Sequence, residues 1–462
     1  MGDTKVVPIT YEHSMENYND VALITTTKTV KSEPKISRKF TKKLLLDILN
    51  FPFMFIHKNF QPGDIKGSAL TIFASTVGVG ILSLPYAVNI SGLYQGIIIF
   101  ILGIIVSLYT CQLLVLASEK TGEFTYELIG KALYGPKMKT FAEINMIINN
   151  YGFAVAYIIL LKDLIPNCLK MLGVVNATAT NNYLWGCLVC ILIIYPLTLK
   201  KKISALRYTS LLSCIACIYL SIVIAYGFFT TRANDLNSKI KEAPPAEIST
   251  YSIFTASSYV VFSFTCQNNV IPIYQELQQR NTKRGFQFLL RGLLMVFVLY
   301  LIVGIFGFLT FYDKYHPITN FPVQILEADY GEDNIPIIIA SIAIAITLIC
   351  GTPLVFQPCR IATLSILFQK EPTKKQYFFI VTGLVFSALG LALATPNIGY
   401  ALNIIGTISS PIVCFILPCM YYIKAFPGKF TRYDLLIAYA VLVFMTFIGV
   451  SGFVIFLMDS FF

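Results

Sequence analysis

The 462-residue sequence predicts an all-α integral membrane protein with about eleven transmembrane helices. Three observations carry that expectation. The chain is 56% hydrophobic and only 13% charged, with a mean hydropathy of +0.70, against roughly 25% charged residues in an average soluble domain. Its apolar runs reach the ~20 residues a helix needs to cross hydrocarbon, and they are too long for barrel strands. The first and sixth runs also share a weak centre followed by a proline.

Residues 1–64 are polar and hold nine Lys or Arg between Lys5 and Lys58, which reads as a largely disordered basic cytoplasmic tail. No signal peptide is expected, because the first apolar run, LLLDILNFPFMFI, is interrupted by Asp47, Asn50 and Pro52. The stretch 38–58 also reads as an interfacial helix lying on anionic lipid. Spanning runs follow near 65–89, 93–118, 141–162, 184–199, 206–230, 252–276, 289–312, 336–368, 377–395, 398–423 and 434–458.

Positive charge sets the orientation. With the tail inside, the cytoplasmic segments hold 27 Lys or Arg and the outer loops hold 5, with Lys66, Lys162 and Arg360 left near helix ends. The positive-inside rule then puts the tail in the cytoplasm and the C-terminal MDSFF outside or in a lumen. A glycosylation sequon at Asn176-Ala177-Thr178 falls in an outer loop, in agreement; a second at Asn89 lies too close to the membrane. Plasma membrane and lysosome or vacuole membranes fit this topology equally.

Most of the eleven cysteines lie within apolar runs, among them Cys111, Cys190, Cys214, Cys217, Cys350, Cys414 and Cys419, and read as small hydrophobes. With three histidines and no facing C-x-x-C pairs, no metal site is expected. No cofactor is expected either, nor a nucleic-acid partner. No nucleophile–base pair points to an enzyme, no Walker-type motif to an ATP-driven pump, and no pore-lining ring to a channel.

The first run contains ASTVGVGILSLPYAV, residues 74–88, with Gly78 and Gly80 at its centre and Pro85 beyond. The sixth contains SFTCQNNVIPIYQEL, residues 263–277, where Thr265, Cys266, Gln267, Asn268 and Asn269 interrupt the helix and Pro272 follows. Glycine and proline also serve packing and kinks in membrane helices, but interrupted helices at corresponding places in two halves of a chain mark a transporter's substrate site. A broken helix offers free N–H groups at one end and free C=O groups at the other. That polarity suits a zwitterionic amino acid. Its carboxylate would accept from the Gly78, Val79 and Gly80 amides, and its ammonium would donate to carbonyls around Ala74, Ser75 and Phe262–Cys266.

These two segments, VGVGILSLPYA and FSFTCQNNVIPIYQEL, resemble the first- and sixth-helix motifs of the amino acid/auxin permease family, nearest its neutral amino-acid transporter branch. The resemblance runs from about Ile65 to the last span. It implies a five-plus-five inverted-repeat, LeuT-like fold with one added helix, and amino-acid transport by alternating access. The organisation expected is 65–230 as the first repeat, 231–251 as an outer loop, 252–423 as the second repeat, and 424–462 as a cytoplasmic loop with the eleventh helix. The protein is expected to work as a monomer in the bilayer.

The branch has an asparagine and a threonine associated with sodium at positions that correspond here to Ala74 and Gly351. The sequence therefore argues against sodium coupling, although Ser75 and Thr352 are neighbouring hydroxyls from which a site would be rebuilt. A proton gradient is the alternative driver, through Glu276 or Glu143. The resemblance places the third helix at the substrate site, so Asn149 and Tyr151 are expected to face the ligand, with helix–helix hydrogen bonding as the alternative. Phe262, Cys266, Gln267 and Asn149 make an uncharged pocket that favours small neutral or amide side chains. Competing readings are transport of cationic amino acids and an amino-acid sensor that signals through the tail.

Overall fold

Each of the eleven apolar runs forms helix. The computed structural model describes residues 63–174, 176–200, 206–232, 250–315, 320–331, 334–368, 373–427 and 432–461. The tail readings, including the 38–58 interfacial helix, and most of the 231–251 loop lie outside the described residues.

Span 1 is two half-helices, α1 (Ile65–Thr76) and α2 (Gly80–Ser91), bent by 59° at their junction. Then come α3 (Leu93–Thr121), a short α4 (Tyr126–Tyr134), α5 (Pro136–Met171), α6 (Asn182–Thr198) and α7 (Leu206–Arg232). Span 6 is again split, into α8 (Thr250–Ser263) and α9 (Gln267–Gln275). The rest are α10 (Thr282–Phe311), α11 (Ile335–Leu367), α12 (Lys374–Ala394), α13 (Ile398–Ala425) and α14 (Arg432–Phe461). Among the described residues, eight helices are long and apolar enough to cross a membrane, and the bent α1–α2 pair makes up to nine; α6 is shorter.

Local chemistry sets the ends. Asp64 caps α1 by accepting from the Ile65 amide at 2.8 Å. Pro136 opens α5 after Gly135, whose φ of 89° only glycine adopts without strain. That start makes α5 36 residues long and buries Glu143 inside the helix instead of at a span end. The nine-residue α4 was not among the predicted elements, because a search for membrane-length runs passes over an amphipathic helix that buries only Tyr126, Ile129 and Gly130.

Span 7, α10, packs against both halves of span 1 as well as α3 and α7, while α8 lies along α2. The α5–α11 interface is the most extensive among the described residues. Two buried cations end on helix carboxyl termini. Lys162 Nζ donates to Ala392 O and Thr395 O at 3.3 and 3.1 Å, and Arg360 Nη1 donates to Thr198 O at 2.8 Å. Each charge thereby meets the negative end of a helix, which compensates its burial.

Candidate functional site

The span 1 break is made of main chain. Val77 closes α1 by donating to Phe73 O at 2.9 Å, and Leu82 donates to Val79 O at 3.1 Å. Gly78 and Val79 belong to neither half-helix, and no protein acceptor is recorded for their N–H groups among the described residues. Those donors therefore stand open beside the amino end of α2, where negative charge is favoured. The carbonyl side is less open, because Thr76 O lies 3.0 Å from the Tyr300 hydroxyl and Val77 O accepts from Ser213 Oγ at 3.4 Å.

The span 6 break is held by side chains. Gln267, fully buried, accepts from the Cys266 amide through Oε1 at 2.9 Å, and its Nε2 donates to Thr110 Oγ1 at 3.2 Å and Ser107 Oγ at 3.4 Å. Ser107 in turn donates to Phe264 O at 3.1 Å. The Tyr300 hydroxyl reaches Ser263 O at 2.8 Å, so one buried side chain of α10 shares its proton between the ends of α1 and α8.

The two breaks meet at one cavity of about 60 Å³. Its wall includes Ser75, Gly78, Val79 and Gly80 of span 1 and Phe262, Cys266, Asn268 and Asn269 of span 6, with Asn150, Phe153 and Tyr157 contributed by α5. Phe153 and Phe262 stack with ring centroids 4.6 Å apart. Asn268 holds a distinct position: its Nδ2 donates to Asn149 Oδ1 at 3.1 Å, while its Oδ1 is buried without a partner. An orphaned acceptor on a cavity wall is a ready site for a ligand's ammonium or amide.

The model of the family described as "Transmembrane amino acid transporter protein" matches residues 62–462. The chain belongs to the transmembrane amino acid transporter family. It is similar to a Danio rerio protein named sodium-coupled neutral amino acid symporter 2, with 26% identity over 397 residues, which cover 79% of this chain and 76% of the relative. Among solved structures it is similar to MhsT in complex with L-phenylalanine, at TM-score 0.59 and 13% identity over 84% of this chain and 98% of the other. A Na+-coupled sialic acid symporter in a substrate-bound outward-open state aligns at TM-score 0.55 and 14% identity, over 87% of this chain and 90% of the other. The chain thus has the inverted-repeat transporter fold that its sequence led us to expect. This multi-pass membrane protein moves amino acids by alternating access and is not an enzyme.

In this transporter the sequence-named residues divide. Ser75, Gly78, Val79, Gly80, Phe262 and Cys266 line the cavity. Gln267 stands behind the wall as the brace of the span 6 break. Asn149 is fully buried and donates to Ser409 Oγ and Ser410 Oγ at 3.2 and 3.1 Å, acting on the cavity through Asn268. Tyr151 points away and donates to Ser387 Oγ at 2.8 Å. The cause is helical phase: Asn150, Phe153 and Tyr157, at i, i+3 and i+7, form the face of α5 turned to the cavity, and positions 149 and 151 lie to either side. That spacing was available in the sequence. Asn268, inside a polar run quoted for its break, carried no mark to set it above Gln267.

Gly80 differs from expectation in its reason. A Cβ there would come within 2.7 Å of Ser263 Cα, so the missing side chain lets α2 approach α8 instead of leaving room for a ligand. At Gly78 a Cβ would meet only the Tyr157 hydroxyl, at 3.0 Å. The proposed coupling residues are dispersed. Ser75 and Thr352 donate to Ile72 O and Leu348 O of their own helices at 3.0 and 2.7 Å, and Thr352 is fully buried off the cavity wall. Glu143 accepts from Ser365 Oγ at 2.8 Å and lies 3.4 Å from Lys139 Nζ. Glu276 is exposed at the end of α9. Asn176 sits on an exposed turn between α5 and α6, where its Oδ1 accepts from the Thr178 amide.

A second, strongly polar recess of about 280 Å³ lies where Asp163, Asn167 and Lys170 of α5 meet Asn182, Glu327 and Asn397. Glu327 belongs to the 320–331 loop, reachable by solvent yet crowded by protein. That crowding, with the Asp163 carboxylate adding to it and Lys162 opposing, pushes its carboxyl up to about 7.

Proposed function

We propose that this transporter carries small neutral or amide-bearing amino acids, held at the cavity between the two breaks. The observation that carries the reading is the meeting of the open Gly78 and Val79 amides with the orphaned Asn268 Oδ1 on one uncharged wall. The amides suit the ligand's carboxylate and Asn268 suits its ammonium. No Asp, Glu, Lys or Arg lines this wall, which disfavours a cationic side chain. The small volume and the stacked Phe153–Phe262 pair favour a short side chain.

The Danio rerio relative's name states sodium coupling, and it weighs against the sequence expectation. For this chain we retain sodium-independent uptake as the proposal, on its own residues. Ala74 and Gly351 supply no side-chain oxygen, and the space beyond Gly351 faces the Tyr157 ring at 3.4 Å. The test is proteoliposome uptake of a labelled amino-acid panel with sodium and pH gradients imposed separately. Neutral amino acids are expected to enter with choline in place of sodium. Uptake at background in choline, mimicked by Thr352→Ala, would return the coupling to sodium. The charge count supports a cytoplasmic tail, so a C-terminal epitope is expected to be reached from the outer or lumenal face.

A further inference from the structure

All eleven cysteines are free thiols. Among the described residues, one pair of sulfurs is in contact. Cys111 of α3 and Cys266 at the span 6 break approach with Sγ–Sγ at 3.6 Å. Their positions differ in a way that gives each a separate chemical part. Both are buried, Cys266 with 1% of its surface exposed, but Cys266 is among the residues that line the cavity and Cys111 is not. Ser107, one turn earlier on α3, lies 4.0 Å from Cys266 Sγ and donates to Phe264 O, so this face of α3 is held against the break.

Cys266 also precedes the first residue of α9, at the amino end where helix N–H groups stabilise anionic sulfur. A cavity that admits water-sized molecules admits a peroxide of similar size. The sulfurs stand in contact, about 1.6 Å beyond the ~2.05 Å bond length of a disulfide.

We infer that Cys266 and Cys111 form an oxidant-sensitive pair in which Cys266 is the attacking thiol and Cys111 the resolving one. In the first step Cys266 sulfur attacks one oxygen of hydrogen peroxide. An S–O bond forms, the O–O bond breaks, and the second oxygen leaves as water with the thiol proton, leaving a sulfenic acid at Cys266. Cys111 sulfur then attacks the sulfenic sulfur, the S–S bond forms, the S–O bond breaks, and the hydroxyl departs as water with the Cys111 proton. Two thiols lose two electrons in all, and one peroxide becomes two waters. The product fixes the span 6 break covalently to α3 beside the cavity that Cys266 lines. Loss of transport follows, a consequence that rests on the cavity being the substrate site.

The experiment uses the full chain in proteoliposomes treated with hydrogen peroxide. Peptide mapping without reductant is expected to find Cys111 linked to Cys266, with uptake at least tenfold lower and restored by dithiothreitol. In Cys111→Ala the resolving thiol is gone, so dimedone is expected to trap the sulfenic acid at Cys266, whereas wild type yields the linked peptide. Mapping of wild type stands on its own if that variant folds poorly, and it needs no substrate, so it fails or succeeds apart from the substrate reading. Both thiols still open to alkylation after peroxide, or Cys266 linked to a different cysteine, would overturn the inference. So would undiminished uptake by fully linked protein.

Discussion

The two breaks do the same topological job with different materials. Span 1 interrupts itself with glycine and leaves main-chain donors open at Gly78 and Val79, whereas span 6 interrupts itself with polar side chains that turn back and satisfy its own backbone. A break built from main chain is free to bind; one built from side chains is braced, and exposes only what the brace leaves over. In span 6 the surplus is Asn268 and Asn269, while Gln267 is spent on Cys266, Ser107 and Thr110. Ligand recognition and mechanical support are thus adjacent in sequence and opposite in direction.

The largest effect expected is at Gly80. Gly80→Val forces a branched side chain into Ser263, within 2.7 Å of its Cα, and neither half-helix can yield without opening the break. Overpacking of this kind costs about 1 to 3 kcal/mol. Folded yield and uptake are expected to fall together, whereas Gly78→Ala, which displaces only the Tyr157 hydroxyl, is expected to keep its yield and lose affinity. Normal yield in Gly80→Val with uptake alone abolished would assign that glycine to the ligand and blur the contrast.

Next is the brace. Gln267→Leu leaves the buried Cys266 amide without its acceptor and removes the donor to Thr110 and Ser107, at a cost of about 2 to 3 kcal/mol. A clear drop in the melting temperature of purified protein is expected, with the apparent affinity of the remaining folded fraction little changed. An unchanged melting temperature would mean that span 6 holds its break without Gln267. Tyr300→Phe is gentler. It retains the edge contact with Phe264 at 5.1 Å and takes only the hydroxyl shared by Thr76 O and Ser263 O, a loss of about 1 kcal/mol. The expected signature is slower turnover at constant apparent affinity, because the bond ties the breaks to each other and touches no ligand.

This contrast also explains what the sequence disclosed. Both breaks were legible, because Gly78, Gly80 and Pro85, or five polar residues followed by Pro272, stand out against an apolar run. Span positions were legible for the same reason: hydrocarbon permits only long apolar helices, and the observed α3, for example, runs from the predicted residue 93 to Thr121. The direction of each polar side chain was not. Gln267 and Asn268 are adjacent amides with the same local pattern, and which one faces the cavity depends on Ser107 and Thr110, roughly 160 residues earlier. Asn149 and Asn150 present the same ambiguity on α5, settled by Ser409 and Ser410 of α13. Partners so distant leave no mark on the local pattern.

The smallest stability effect and the most specific functional one belong to Asn268. Its Oδ1 has no protein partner among the described residues, so Asn268→Ala removes an acceptor that contributes little to the fold. The Nδ2 bond to Asn149 is lost as well, but Asn149 keeps Ser409 and Ser410 within 3.2 Å, and the fold is expected to be nearly as stable as wild type. A hydrogen bond to a charged group contributes about 1.5 kcal/mol or more, so the Michaelis constant for a neutral amino acid is expected to rise about tenfold. Asn149→Ala provides the counterpart: it frees the Asn268 side chain to turn and also breaks the link to α13, so it is expected to lower melting temperature more and affinity less. If the two variants exchange these signatures, Asn149 is the residue that meets the ligand and Asn268 its support, and the division between a binding break and a braced one would have to be drawn through α5 instead.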